Sequence, residues 1–226
     1  MPAPTPVAWE YVASFATAPE RLESADSTVR RRKLDIRACY SGLIAELDLL
    51  AAELGADGRT LRRAAARGSI RLRRISPYKV EISAQERRYI RRNWPLVRAL
   101  TAALRTERNV RLAVLFGSAA RGEDRPGSDI DLIVALGDAG RLAFARLALR
   151  LEALLERPVQ LVSLGEAESS PALLAEAVRD GRPIVDRDGI WDRVRRHDKR
   201  LVRRARAADA EVQAMARDAL ERFAAE

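Results

Sequence analysis

The sequence predicts an α+β protein in three parts: a helical N-terminal domain, a small domain in which strands alternate with helices, and a long C-terminal helix. Three observations carry this reading. Apolar residues recur at helical spacing between Thr28 and Gly68. Beyond residue 109, short apolar runs alternate with amphipathic stretches of helical period. Val194, Leu201, Ala208 and Met215 recur every seven residues among charged neighbours, the mark of one long amphipathic helix that needs a partner surface. The expected divisions are a loose leader over 1–27, a helical domain with a connector helix over 28–108, a mixed α/β unit over 109–188, and a basic amphipathic helix over 189–226.

Composition narrows the function classes. Apolar residues make up 47% of the 226, which argues for a packed core rather than disorder. No run of about 18 uncharged apolar residues occurs, so no membrane span is expected. The start lacks the basic-then-apolar form of a signal peptide. Cys39 is the single cysteine and excludes a disulfide within the chain. A cytoplasmic location is the simplest expectation. The charge is uneven: residues 1–110 carry 21 Lys+Arg against 12 Asp+Glu, whereas residues 111–226 carry 20 of each. A basic half of this kind points to a polyanionic partner, nucleic acid first, with a merely solvated basic surface as the alternative.

In the N-terminal part, "RRRKLDIRACYSGLIAELDLLAAELG" reads as a helix ending at Gly55, and "RTLRRAAARG" as a second helix closed by Gly68. The segment "SIRLRRISPYKVEIS" then changes to period two around Ser76-Pro77-Tyr78, a hairpin signal. Two helices joined by a short turn and followed by a hairpin resemble a winged helix-turn-helix. By that resemblance Arg59, Arg62, Arg63 and Arg67 on the second helix, with Arg73 and Arg74 on the hairpin, would contact nucleic acid. "SAQE" at 83–86 is a capping-box pattern that starts a connector helix, with Ile90, Trp94, Val97, Leu100 and Leu104 along one face and Pro95 as a kink or a restart. Tyr89 and Trp94 are expected to pack rather than to stack on bases.

The following unit reads as strands "RLAVLF", "DIDLIVAL", "PVQLVSL" and "RPIVD". Between them lie a helix over 139–156, with Asp138 as its expected cap, and another opened by Ser170-Pro171. The stretch that asks for an explanation is "LFGSAARGEDRPGSDIDLIV", 115–134. On a strand, residues two apart point to the same face, so Asp129 and Asp131 would present their carboxylates together. Two carboxylates at close range repel and raise each other's pKa, a cost that a cation between them removes. Hard oxygen ligands suit Mg²⁺, which commonly takes one or two carboxylates plus phosphate oxygens. Gly117 allows close backbone approach to such a phosphate, and Ser118 adds a hydroxyl donor. Other chemistry is poorly supplied. No G-K-[ST] occurs, His197 is the lone histidine, and ligands for zinc are lacking.

The pattern G-S-x10-D-x-D, with its A-R-G and S-D-I-D-L elements, resembles the signature of the minimal nucleotidyltransferases of the DNA polymerase β superfamily. The resemblance covers roughly residues 109–186. It implies a small mixed sheet with helices, a nucleoside triphosphate (ATP favoured) bound with Mg²⁺ or alternatively Mn²⁺, and transfer of a nucleoside monophosphate to a hydroxyl with release of pyrophosphate. It further implies that Gly117, Ser118, Arg121 and Ser128 contact the nucleotide and that Asp129 and Asp131 ligate metal and carry catalysis. The family usually places a third carboxylate on a later strand. Here "VQLV" puts Gln160 there, and a neutral amide cannot act as a base. Glu166 and Glu168 follow that strand as substitutes. Two readings therefore stand. One is an active enzyme that modifies a protein or nucleic-acid hydroxyl, within the toxin–antitoxin setting the resemblance implies. The other is a DNA-binding regulator or antitoxin whose nucleotidyltransferase fold is catalytically weak or inactive. In both, a toxin-like protein is the implied partner.

Overall fold

A computed structural model describes residues 42–76, 79–138 and 140–196, together with the isolated helical positions Arg203, Ala207, Ala210 and Met215. The leader, Cys39, Pro77-Tyr78 and His197 lie outside the described residues, as does most of the expected C-terminal helix. Two compact units are present, Met1–Arg98 and Ala99–Glu226.

In the first unit, helix α1 covers 42–53, and its apolar positions Leu43, Leu47, Leu50 and Ala51 are buried at helical spacing. Gly55 in left-handed geometry ends the turn that follows. Helix α2, Gly58–Arg67, starts where the Asp57 side chain accepts the Arg59 N–H at 2.7 Å. It stops at Gly68, which is left-handed and returns its N–H to Ala64 and Ala65 carbonyls. Strands β1, Arg73–Ser76, and β2, Lys79–Glu81, pair antiparallel. Helix α3, Ala84–Thr106, opens with the Ser83 hydroxyl accepting the Glu86 N–H at 3.1 Å, as the capping pattern predicts. The buried Glu86 carboxylate also accepts the backbone N–H of Arg71 at 2.9 Å. Pro95 sits inside α3, which runs on as one helix, and the division between the units falls within it. Tyr89 and Trp94 are buried.

The second unit is built on a four-stranded sheet in the order β5-β4-β3-β6, with β3 Val110–Phe116, β4 Ile130–Leu136, β5 Val159–Ser163 and β6 Arg182–Asp186. β3 pairs antiparallel with β4 and β6, while β4 and β5 are parallel, so the sheet is mixed. The parallel pair requires a crossover, supplied by helix α5, Arg141–Leu155. Short helices α4 Gly117–Arg121 and α6 Leu164–Ser169 follow β3 and β5, and α7 Pro171–Asp180 and α8 Ile190–Arg196 flank β6 in sequence. One core joins Leu112, Val114, Phe116 and Ile133 of the sheet to Ala167, Leu174, Ala177 and Trp191 of α6, α7 and α8.

Local details refine the sequence reading. The cap of α5 is Gly140, not Asp138, whose backbone N–H is instead held by the Asn109 side chain at 2.6 Å. Along α5, Leu147 and Leu151 are buried and Leu154 is exposed. Ser163 and Glu166 form a capping box that starts α6, a helix the strand pattern hid. Gly117 and Ser118 open the short helix α4. No helix among the described residues is long and apolar enough to cross a membrane.

Candidate active site

The site forms where two neighbouring strands exchange direction. Phe116, the last residue of β3, pairs with Asp131, the second residue of β4, so the chain leaving β3 must turn across the Asp131 carboxylate. It does so at Gly117, with φ +67. A Cβ there would come within 2.3 Å of Asp131 Oδ2. Left-handed backbone and lack of space both demand glycine at this point. The backbone thus lies directly against a carboxylate, with no room between them for a side chain.

Asp131 is half-buried on the strand. Its carboxyl is pushed above the ordinary range, first by burial, then by the charges of Asp129 and Glu176, with Arg121 opposing. Asp129 lies one residue outside β4 and is exposed, so it is not a strand residue as the D-x-D pattern suggests. The two still meet electrostatically, since Asp129 is the second cause of the Asp131 shift. On the other side, β5 sets Gln160 in register with Asp131. Paired positions in adjacent strands face the same way, so an exposed amide stands beside the carboxylate. Glu166 is committed elsewhere. It accepts the Ser163 N–H at 2.8 Å, and that capping box holds its carboxyl below the ordinary range. Among the described residues no three carboxylate, histidine or cysteine groups gather to hold a metal ion.

The remaining predicted residues are placed as follows. Ser118 lies in the first turn of α4 and is half-buried. Arg121, at the end of α4, is held by Glu123 at 2.7 Å and by Glu176 of α7 at 2.6 Å. The Ser128 hydroxyl closes the loop before Asp129 by accepting the Arg125 N–H at 2.9 Å. In the first unit, Arg59 and Arg63 are exposed on α2, Arg62 pairs with Asp48, and Arg67 is half-buried. Arg73 and Arg74 are exposed on β1, with Arg73 paired to Glu81 at 2.7 Å and Arg74 donating to the Ser76 carbonyl at 3.3 Å. Three groups that shape the site escaped the motif: Glu176, Asp124 and Arg157. Arg157 holds Asp124 at 2.9 Å. Only their types next to the D-x-D segment and the β5 strand hinted at them, because their contacts span 33 and 55 residues.

The donor set suits a cation at Asp129 and Asp131. Two close carboxylates, one of them destabilised by its neighbour, and a glycine cradle that a Cβ would fill match an oxygen-ligated Mg²⁺ completed by phosphate oxygens.

Residues 98–190 match the family model described as Polymerase beta, Nucleotidyltransferase. No curated protein matches the chain. Among solved structures, a chain of a toxin–antitoxin crystallised with AMP-PNP is 26% identical, over 55% of this chain and 98% of that one, at a TM-score of 0.44. A chain of the toxin–antitoxin MntA-HepT is 24% identical, over 56% and 98%, at 0.42. A chain of the complex of tri-AMPylated Shewanella oneidensis HEPN toxin with MNT antitoxin is 22% identical, over 58% and 98%, at 0.39.

Two outcomes follow from this geometry. Gly117→Ala adds a methyl where Asp131 Oδ2 lies and forces a left-handed alanine, so denaturant unfolding should report a loss of about 1–2 kcal/mol; an unchanged midpoint would show that the turn is not held against Asp131. The raised Asp131 carboxyl means that the folded state binds this proton more tightly than the unfolded one. The group therefore costs stability at neutral pH, and the cost fades as pH falls through its raised pKa toward the ordinary carboxylate range of about 4. In chelator, Asp131→Asn should accordingly melt higher than the parent at pH 7 and equal to it near pH 4.

Proposed function

We propose that the second unit is a Mg²⁺-dependent nucleotidyltransferase that binds a nucleoside triphosphate, ATP favoured, and transfers its nucleoside monophosphate to a hydroxyl of a protein or nucleic acid. The single observation that supports this best is the Gly117 backbone laid against Asp131 beside Asp129. The match of residues 98–190 to the polymerase β nucleotidyltransferase model agrees with it. In this reading Gly117 and Ser118 receive the β- and γ-phosphates, Arg121 and Ser128 stand beside them, and Asp129 and Asp131 hold the cation, with Mn²⁺ as the alternative ion. The bound cation supplies charge neutralisation for the phosphates. The acceptor oxygen attacks the α-phosphorus, the bond to the bridging oxygen breaks, pyrophosphate leaves, and the hydroxyl proton is released. The protein's part is to orient the phosphates and to keep side chains out of the space next to Asp131.

A second reading is favoured by one observation, the register of Gln160 with Asp131. An amide there cannot take the acceptor's proton, and its lack of charge weakens the hold on a second cation. The chain is then a nucleotide-binding regulator or antitoxin with weak or absent transfer. The helices α1 and α2 and the β1–β2 hairpin act in this reading as a winged helix-turn-helix on DNA, and a toxin-like protein is the partner. Of the six arginines in question, Arg59 and Arg63 are exposed on α2 and form no ion pair among the described residues, which favours them as phosphate contacts.

Incubation with labelled ATP, Mg²⁺ and cell extract separates the readings. Labelling by the parent above an Asp129→Ala/Asp131→Ala control supports the enzyme, and Gln160→Asp should then raise the rate by about a hundredfold, the low end of a general base contribution. Labelling by Gln160→Asp alone selects the regulator, and labelling by neither removes the enzyme reading. For the first unit, Arg59→Ala/Arg63→Ala should weaken DNA binding uniformly across sequences and reduce the slope of log K against log salt by about 2. An unchanged slope would exclude those two arginines from the phosphate contacts.

A further inference from the structure

We propose that Arg157, outside the G-S-x10-D-x-D pattern, is the positioning residue for Asp129; the inference rests on the nucleotide-site reading above. Asp129 precedes β4, so the strand ladder does not fix its backbone. Two contacts do. Arg157 Nε and Nη2 donate to the carbonyl of Ser128 at 3.0 and 2.7 Å, which holds the peptide that enters Asp129. The Ile130 N–H donates to the Pro158 carbonyl at 2.9 Å, which holds the peptide that leaves it. Both anchors come from the Arg157-Pro158 pair. The third arm of the guanidinium, Nη1, binds Asp124 at 2.9 Å, and Asp124 is buried at the other end of the same loop. One side chain thus spans the loop that carries Asp129 and ties its two ends together.

The placement of Arg157 is itself built. α5 ends at Glu156 in left-handed geometry, φ 53, with its N–H bonded to the Glu152 carbonyl at 2.8 Å. That reversal turns the chain from the helix into β5 and aims the next residue at the loop. Only arginine offers three donors in one fixed plane, two for a carbonyl and one for a carboxylate. A lysine at this point keeps the charge beside Asp124 and loses the fork on Ser128.

The test uses the full chain with a non-hydrolysable ATP analogue. Mn²⁺ affinity is read by electron paramagnetic resonance, nucleotide affinity is read separately in chelator, and folding is followed by melting. Arg157→Lys should bind Mn²⁺ about tenfold more weakly, the scale seen when a supporting group behind a metal ligand is lost, while nucleotide affinity in chelator stays at the parent's value. A purely structural role would move melting alone. If Arg157→Lys does not unfold cooperatively, Asp124→Asn takes its place, with an expected weakening of about threefold for one loosened hydrogen bond. Mn²⁺ binding equal to the parent's in the variant that folds overturns the proposal and leaves the nucleotide site standing. If the parent itself binds no more Mn²⁺ than Asp129→Ala/Asp131→Ala, the nucleotide-site reading falls, and the positioning role with it.

Discussion

The second unit turns on the pairing of Phe116 with Asp131. Antiparallel register brings the exit of β3 to the entrance of β4, and the exit must then turn within the width of one residue across a carboxylate. That constraint selects glycine at 117, starts α4 immediately after it, and directs Ser118 and Arg121 to the same end of the sheet. The carboxylate in turn is raised in pKa because burial and Asp129 act on it together. Placing a charged group where it is unfavourable is a cost to the empty fold, and such costs concentrate at sites whose ligand removes them. The apolar residues behind the turn, Leu112, Val114, Phe116 and Ile133 packed on α6, α7 and α8, hold the strands rigid enough for the close contact to persist.

What the sequence makes legible here is local. Gly68 ends α2, Ser83 and Glu86 open α3, and Ser170-Pro171 opens α7, because each signal acts within one helical turn of itself. The four strands appear as apolar runs for the same reason. The D-x-D pattern suggests a strand from Asp129, one residue too early, since β4 starts where β5 begins to pair with it and the pattern carries no knowledge of β5. Arg121, which the resemblance assigns to the nucleotide, is also claimed by Glu176, 55 residues away. The grip of Arg157 on Ser128 crosses 29 residues and has no periodic signature at all. Gln160 is the instructive middle case. Its departure from the pattern that the sequence resembles is visible in the sequence, but its position at the side of Asp131 follows only from the strand register.

The first unit shows a parallel economy of charge. Its excess of arginine is not uniformly available: Arg62, Arg73, Arg87 and Arg91 are each paired with an acidic partner in the same unit. Exposed pairs of this kind add little stability, but they reduce the number of cations open to a polyanion. The composition of a basic half therefore overstates its capacity for phosphate, and the exposed positions of α2 matter more than the net charge.

The amide at Gln160 also bears on the order of events at the neighbouring site. Asp129 and Asp131 together bring two negative charges, which balance a single divalent ion and no more. A second such ion finds its counter-charge only on the phosphates of an arriving nucleotide. In the nucleotide-site reading, the two carboxylates alone suffice for a first ion, whereas a second would arrive together with the triphosphate.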